Sequence, residues 1–379
     1  MLEQTLVSLQ DALEQVEDLL ENPVASLERI GRPVIGWFCS YTPEEIILAS
    51  ELHPYRVLPH PSQAPTLADS CLGSSFCPYA RASLGEALQG NYDFLDGLVI
   101  VNSCDAMRRL YDAWRHYIGD DFVYLLDVPR LNSEAAAKRY REELERFGEA
   151  LASHFGTQMQ DDSLVSAIDL CNQVRSSLRE LYEANHAAGS PLPASHLHNI
   201  VQASSLLPRG DYLALLENLV SQVRDSDEAT GQLPRILVSG AVMDNPQVLD
   251  IFLEHGAKVV CDDLCTGTRY FWYQVEPESD PLLALSRSSL ERIPCPRMKD
   301  SERRFDHLLE LVSQFQVDGV VLYTQKFCDP FLFDIPVMRK ELEKRDIPCL
   351  ILESEFTPGT MERERTRIQA FIEMLEESR

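Results

Sequence analysis

The chain has 379 residues, 45% of them hydrophobic and 25% charged, enough apolar material for more than one core. Its 34 basic and 60 acidic side chains leave a formal charge of −26. A field of that sign argues against nucleic acid and anionic lipid as partners and leaves an anionic small ligand only where arginines gather locally, as at Arg108, Arg109 and Arg115.

The opening "MLEQTLVSLQDALEQVEDLLENP" is acidic, with apolar residues at helical spacing, and predicts an amphipathic surface helix within residues 1–30. A signal peptide needs a basic start and an unbroken apolar stretch. No apolar run approaches the roughly 18 residues of a membrane span. We therefore expect a cytoplasmic chain.

Strand and helix signals then alternate. "VIGWFCS" (34–40) predicts a buried strand, "TPEEIILASEL" (42–52) a helix and "YRVLPH" (55–60) a second strand. The segment 76–95 predicts a helix, 96–105 a strand, 106–118 a helix and 121–129 a strand closed by proline. From about 131 to 230 the strand signal disappears and long helical patterns replace it, broken at 187–196 by a turn-rich stretch. Alternation resumes with strands at 235–244, 257–265, 318–328 and 348–356, and helices at 245–255, 301–316, 332–345 and 361–377. Residues 266–300 carry prolines and predict an irregular, functional loop. The fold class expected is α/β: two doubly wound parallel-sheet domains, Rossmann- or flavodoxin-like, at 31–130 and 231–379, with a helical insert between them.

Ten cysteines are too few for a disulfide scaffold of this length, and no CxxC pair occurs. Taken singly, each reads as a small buried hydrophobe. Position adds information, because ligands of open α/β sheets bind beyond the carboxyl ends of the strands. Cys39, Cys104, Cys265 and Cys328 all fall at or just past predicted strand ends. Cys77, in "SSFCPYAR", precedes a proline at a helix start, where free N–H groups favour a thiolate. "NSCD" and "KFCD" repeat one arrangement in both predicted domains, so Cys77, Cys104 and Cys328 can converge on an iron-sulfur cluster whose fourth site goes to another ligand.

Five segments in register, "GWFCSYTPEEII", "FCPYARASLGEAL", "LDGLVIVNSCDAMRRLYDAW", "VVCDDLCTGTRYF" and "KFCDPFLFDIP", resemble the 2-hydroxyacyl-CoA dehydratase and benzoyl-CoA reductase family. The likeness is to its iron-sulfur dehydratase component and runs from about Gly31 to the "RIQAFIEML" tail. It implies that Cys77, Cys104 and Cys328 hold a [4Fe-4S] cluster, with FMN left open as a further cofactor. Cys265 and Cys295 are similar to positions that carry extra ligands in related double-cubane proteins, whose further paired thiol "IPCPRM" lacks. Expelling an α-hydroxyl beside a thioester has the wrong polarity for acid-base catalysis, whereas one electron added to the carbonyl gives a ketyl that can expel it. The reductase branch sends electrons into an aromatic ring instead. No GxxxxGK[ST] loop is present, and the resemblance implies a separate ATP-hydrolysing iron-sulfur activator, a homologous second subunit and an acyl-CoA substrate.

His60 stands near the place where the thioester-binding subunit carries a carboxylate, so the smaller, electron-relaying subunit is the better match. Ser40 is similar to a position near the substrate, or caps a helix. Glu44 and Glu45 read as a base or as early-turn helix acids. Asp105 and Asp329 each follow a proposed ligand, Arg81, Arg108 and Arg109 are candidates for CoA phosphates, and His53 reads as structural. Two other readings are a homodimeric double-cubane-type ATP-dependent reductase and a non-catalytic iron-sulfur electron carrier.

Overall fold

The computed structural model describes residues 8–59, 65–119, 121–187, 189, 191–225, 233–356 and 361–377. The eight strands of those residues build two all-parallel sheets of four. In the first, β1 (Val34–Trp37), β2 (His53–Arg56), β3 (Gly97–Val101) and β4 (Val123–Leu126) run in the order β2-β1-β3-β4. In the second, β5 (Arg235–Gly240), β6 (Lys258–Leu264), β7 (Gly319–Gln325) and β8 (Cys349–Ser354) run in the matching order β6-β5-β7-β8. In both, the chain steps outward from the first strand and then crosses to its other side. Crevices therefore open between β1 and β3 and between β5 and β7, at the carboxyl ends of the strands.

Strands covered on both faces read as unbroken apolar runs, and every residue of β3 and β7 is buried. The second strand begins at His53, two residues before the predicted start, and contains Pro54. A proline is tolerated there because β2 is an edge strand.

Helices α1 (Leu9–Glu21) and α2 (Pro23–Glu28) precede the first sheet, and α1 opens with a capping box between Ser8 and Asp11. Its connections carry α3 (Glu44–Ala49), α4 (Asp69–Leu72), α5 (Pro78–Leu88) and α6 (Asp105–Tyr117). The helical segment comprises α7 (Glu134–Phe155), α8 (Asp161–Ala187), α9 (Ala194–Ala203) and α10 (Arg209–Arg224). Around the second sheet follow α11 (Gln247–Glu254), α12 (Thr268–Phe271), α13 (Pro281–Glu291), α14 (Ser301–Gln314), α15 (Asp329–Glu343) and α16 (Met361–Glu377).

Residues 266–300 are not the irregular loop their prolines suggested. They contain α12 and α13, and α13 starts where Asp280 accepts from the Leu283 N–H at 3.0 Å with Pro281 in the first turn. Helix α15 likewise starts at Asp329, three residues before its predicted start, with Pro330 in its first turn. A proline whose missing N–H has no helical partner to lose opens a helix as readily as it ends one.

One hydrophobic core joins the first sheet to the helical segment and to residues 270–298, through Trp37, Leu98, Tyr140, Tyr212, Phe271 and Leu285. The second sheet has a separate core on each face, one around Ile236 and Phe252 and the other around Leu311 and Phe315. The segment after β6 thus leaves its own sheet and packs over the carboxyl edge of the first.

Candidate functional site

Cys77, Cys104 and Cys328 are the residues immediately before α5, α6 and α15. None of the three sulfurs closes a capping hydrogen bond of strict geometry. The first-turn N–H groups are nevertheless near enough to favour the thiolates: Ala80 and Tyr79 for Cys77, Met107 and Ala106 for Cys104, Phe331 for Cys328. For Cys104 and Cys328 this placement is what a sheet edge produces when a strand ends, the chain turns and a helix starts after three intervening residues, whereas Cys77 is reached after the longer connection that carries α4.

Although 251 positions separate the first from the last in the 379-residue chain, the three thiols come within electrostatic reach of one another. Burial raises Cys77 to about 12, and the Cys104 thiol adds to the shift. Burial also raises Cys104 and carries Cys328 well above the usual thiol range, with Cys77 next in effect on Cys328. Without a metal all three are neutral thiols at neutral pH, and metal binding would release their protons. Among the described residues, no three His, Cys, Asp or Glu side chains are grouped closely enough for a single metal ion. The grouping is looser than that, and its soft donors with nearby N–H groups fit an iron-sulfur cluster in kind.

A second thiol group adjoins the first. Burial lifts Cys39 to about 11, with Cys295 and then Cys265 also contributing. Cys295 also acts on Cys104, Cys265 and Cys328, so it stands between the two groups. The backbone N–H of Cys295 donates to Tyr41 Oη at 3.3 Å, and Cys265 Sγ donates to the Ala241 carbonyl at 2.8 Å. By contrast, Cys171 and Cys261 are core residues.

The loop around Cys295 is strapped across the first sheet by two arginines. Arg292 donates to the Ser40 carbonyl, beyond β1. Arg297 donates to the Ser103 carbonyl at 3.1 Å, to Asn102 at 3.2 Å and to Val128 at 2.8 Å, beyond β3 and β4. Arg56 joins from β2, donating to the Cys265 carbonyl at 2.7 Å while lying 4.9 Å from the Trp37 ring centre. Arg56 and Arg292 were not anticipated; the available signal was a single arginine inside each of the apolar stretches "HPYRVL" and "ERIPCP".

Other expected residues are placed as follows. Ser40 is half-buried, with its carbonyl held by Arg292. Glu45 is buried and closes an ion pair with Arg175 of α8, and Glu44 does the same with Arg209 of α10. Both ion pairs tie α3 to the helical segment. Arg81 pairs with Asp69, while Arg108 and Arg109 both pair with Asp105 on an exposed helix face. His53 Nε2 meets the Ser205 carbonyl at 2.8 Å, a structural bond. Asp329 is exposed. His60 lies outside the described residues.

Residues 39–375 match the family model of the 2-hydroxyglutaryl-CoA dehydratase D-component. The chain is 24% identical over 365 residues to the (R)-phenyllactyl-CoA dehydratase beta subunit of Clostridium sporogenes, covering 95% of this chain and 97% of that one. It is 24% identical over 370 residues to the beta subunit of lactoyl-CoA dehydratase of Anaerotignum propionicum, covering 96% and 98%. One of the benzoyl-CoA reductase subunits of Thauera aromatica is 24% identical over 358 residues, covering 91% of each chain. No helix of the described residues is long and apolar enough to cross a membrane.

Proposed function

Because this chain belongs to the 2-hydroxyglutaryl-CoA dehydratase D-component family, we propose that it is the smaller-type, iron-sulfur subunit of a cytoplasmic acyl-CoA dehydratase or benzoyl-CoA reductase-type enzyme. Cys77, Cys104 and Cys328 are the protein ligands of one [4Fe-4S] cluster in this reading. The observation that carries it is the meeting of three thiols from both sheets, each at the start of a helix of 11 residues or more.

When bound, such a cluster supplies one electron at low potential. The chain's own contribution is to hold the sulfurs and keep water from them. Helix starts favour the anionic thiolates, and the partial burial of all three residues limits solvent. The relatives are named as single subunits of larger enzymes, which supports a homologous partner subunit, to which acyl-CoA binding is assigned. A separate ATP-hydrolysing activator would deliver the electron. Ser40 remains the candidate hydroxyl nearest a substrate, and Glu45 is assigned to anchoring rather than to proton transfer.

A second reading, a larger cluster of the double-cubane type, is favoured by one feature: Cys39, Cys265 and Cys295 adjoin the first three thiols. Anaerobic purification with the homologous subunit, followed by iron and acid-labile sulfide analysis, tests both. About four irons per chain supports the leading reading and about eight the second, and a chain that binds none refutes both.

A further inference from the structure

Eight arginines among the described residues are buried. Five of them face a carboxylate, in the pairs Arg81–Asp69, Arg175–Glu45, Arg209–Glu44, Arg269–Asp263 and Arg304–Asp334. The remaining three, Arg56, Arg292 and Arg297, are 5%, 5% and 8% exposed and have no ion-pair partner among the described residues. All three bind backbone carbonyls at or beside cysteines, whereas Arg269, which also acts on the Cys265 thiol, is matched by Asp263. Arg56 binds the carbonyl of Cys265, Arg292 that of Ser40 beside Cys39, and Arg297 that of Ser103 beside Cys104.

Carbonyl dipoles and ring faces solvate a guanidinium without cancelling its charge, and burying an uncompensated charge is costly. A chain of net charge −26 has carboxylates in excess, yet among the described residues none stands within pairing distance of these three arginines. The missing negative charge is then that of the group the cysteines hold.

We infer that Arg56, Arg292 and Arg297 are the counter-charge of the anionic group held by the cysteines and set how readily that group accepts an electron. The inference rests on the reading of Cys77, Cys104 and Cys328 as cluster ligands and adds three positioning residues to it. Arg297 has two roles. Its fork fixes the Asn102–Ser103 turn that presents Cys104, and its charge stabilises the added electron. Arg297→Lys keeps the charge and loses the fork, whereas Arg297→Met loses both.

The experiment is a potentiometric titration of the anaerobically purified complex, with iron content measured alongside. In Arg297→Met the midpoint falls, with the reduced-to-oxidised ratio at a fixed potential dropping about tenfold, ~59 mV for a one-electron couple. Arg297→Lys stays near wild type. An unchanged midpoint in Arg297→Met at full iron content overturns the inference, as does an equal shift in both variants, which would be the mark of a purely geometric clamp. If Arg297→Met does not fold, Arg56→Met carries the same test with the same two outcomes. If the wild-type chain binds no iron, the functional reading fails and the inference falls with it.

Discussion

Arg175, in the middle of α8, and Glu45, in the first turn of α3, close an ion pair from which solvent is nearly absent: their side chains are 6% and 2% exposed. The Tyr273 hydroxyl accepts from the same guanidinium at 2.8 Å, so one contact ties together the first sheet, the helical segment and the stretch after β6. Breaking such a pair leaves a bare buried charge, at a cost of about 3–5 kcal/mol. Glu45→Gln should lower unfolding stability by that order in urea titrations, and adding Arg175→Met should recover part of the loss. A Glu45→Gln chain that kept its stability and lost only turnover would restore Glu45 as a base.

The cysteines separate by position. Cys77→Ala, Cys104→Ala and Cys328→Ala should each lose bound iron after anaerobic reconstitution, because two remaining thiols are too few protein ligands to hold the cluster. Cys171→Ala, in the core of α8, should keep it and lose only packing stability. Iron retention in all three of the first set, measured against Cys171→Ala, would sink the ligand assignment.

Gly267 is a third case. A side chain there would run into the carboxylate of Asp262, which accepts from the Leu264 N–H at 3.0 Å, the Thr268 N–H at 2.8 Å and Tyr182 Oη at 2.9 Å. That carboxylate cannot yield without leaving buried donors unpaired. Gly267→Ala should therefore cost about 1–3 kcal/mol, as overpacking does. A thermal midpoint equal to wild type would contradict this.

Glu364 supplies a pH test. Burial, then the neighbouring Asp244, raises its pKa from 4.5 to about 7. The unfolded chain ionises first as pH rises from 4.5, so wild type loses stability relative to Glu364→Gln between 4.5 and about 7, and the gap stays constant above that. Urea midpoints of both proteins across this range check it. A gap independent of pH would mean that Glu364 titrates normally.

Where the chain's local chemistry decides the outcome, reading it in one dimension was enough. The alternation of buried runs with amphipathic stretches requires parallel strands covered by helices, and β3, β7 and α16 lie where "GLVIV", "GVVLYTQ" and residues 361–377 indicated. The cysteines at strand ends were visible for the same reason. Prolines misled where one residue type serves two opposite purposes: those near 281 and 330 open helices, and an edge strand accommodates Pro54.

Composition, period and motif by themselves determined the two-sheet α/β architecture, the helical stretch between the sheets and which thiols stand at a sheet edge. Folding alone decided the rest: that residues 270–298 desert the second sheet for the first, that Glu45 is paired with Arg175, and that Arg56, Arg292 and Arg297 bind carbonyls at or beside cysteines rather than carboxylates. Strand and helix follow from interactions a few residues apart. Contacts at the seam are settled between groups as far as 254 positions apart, and no local pattern encodes which partner is absent.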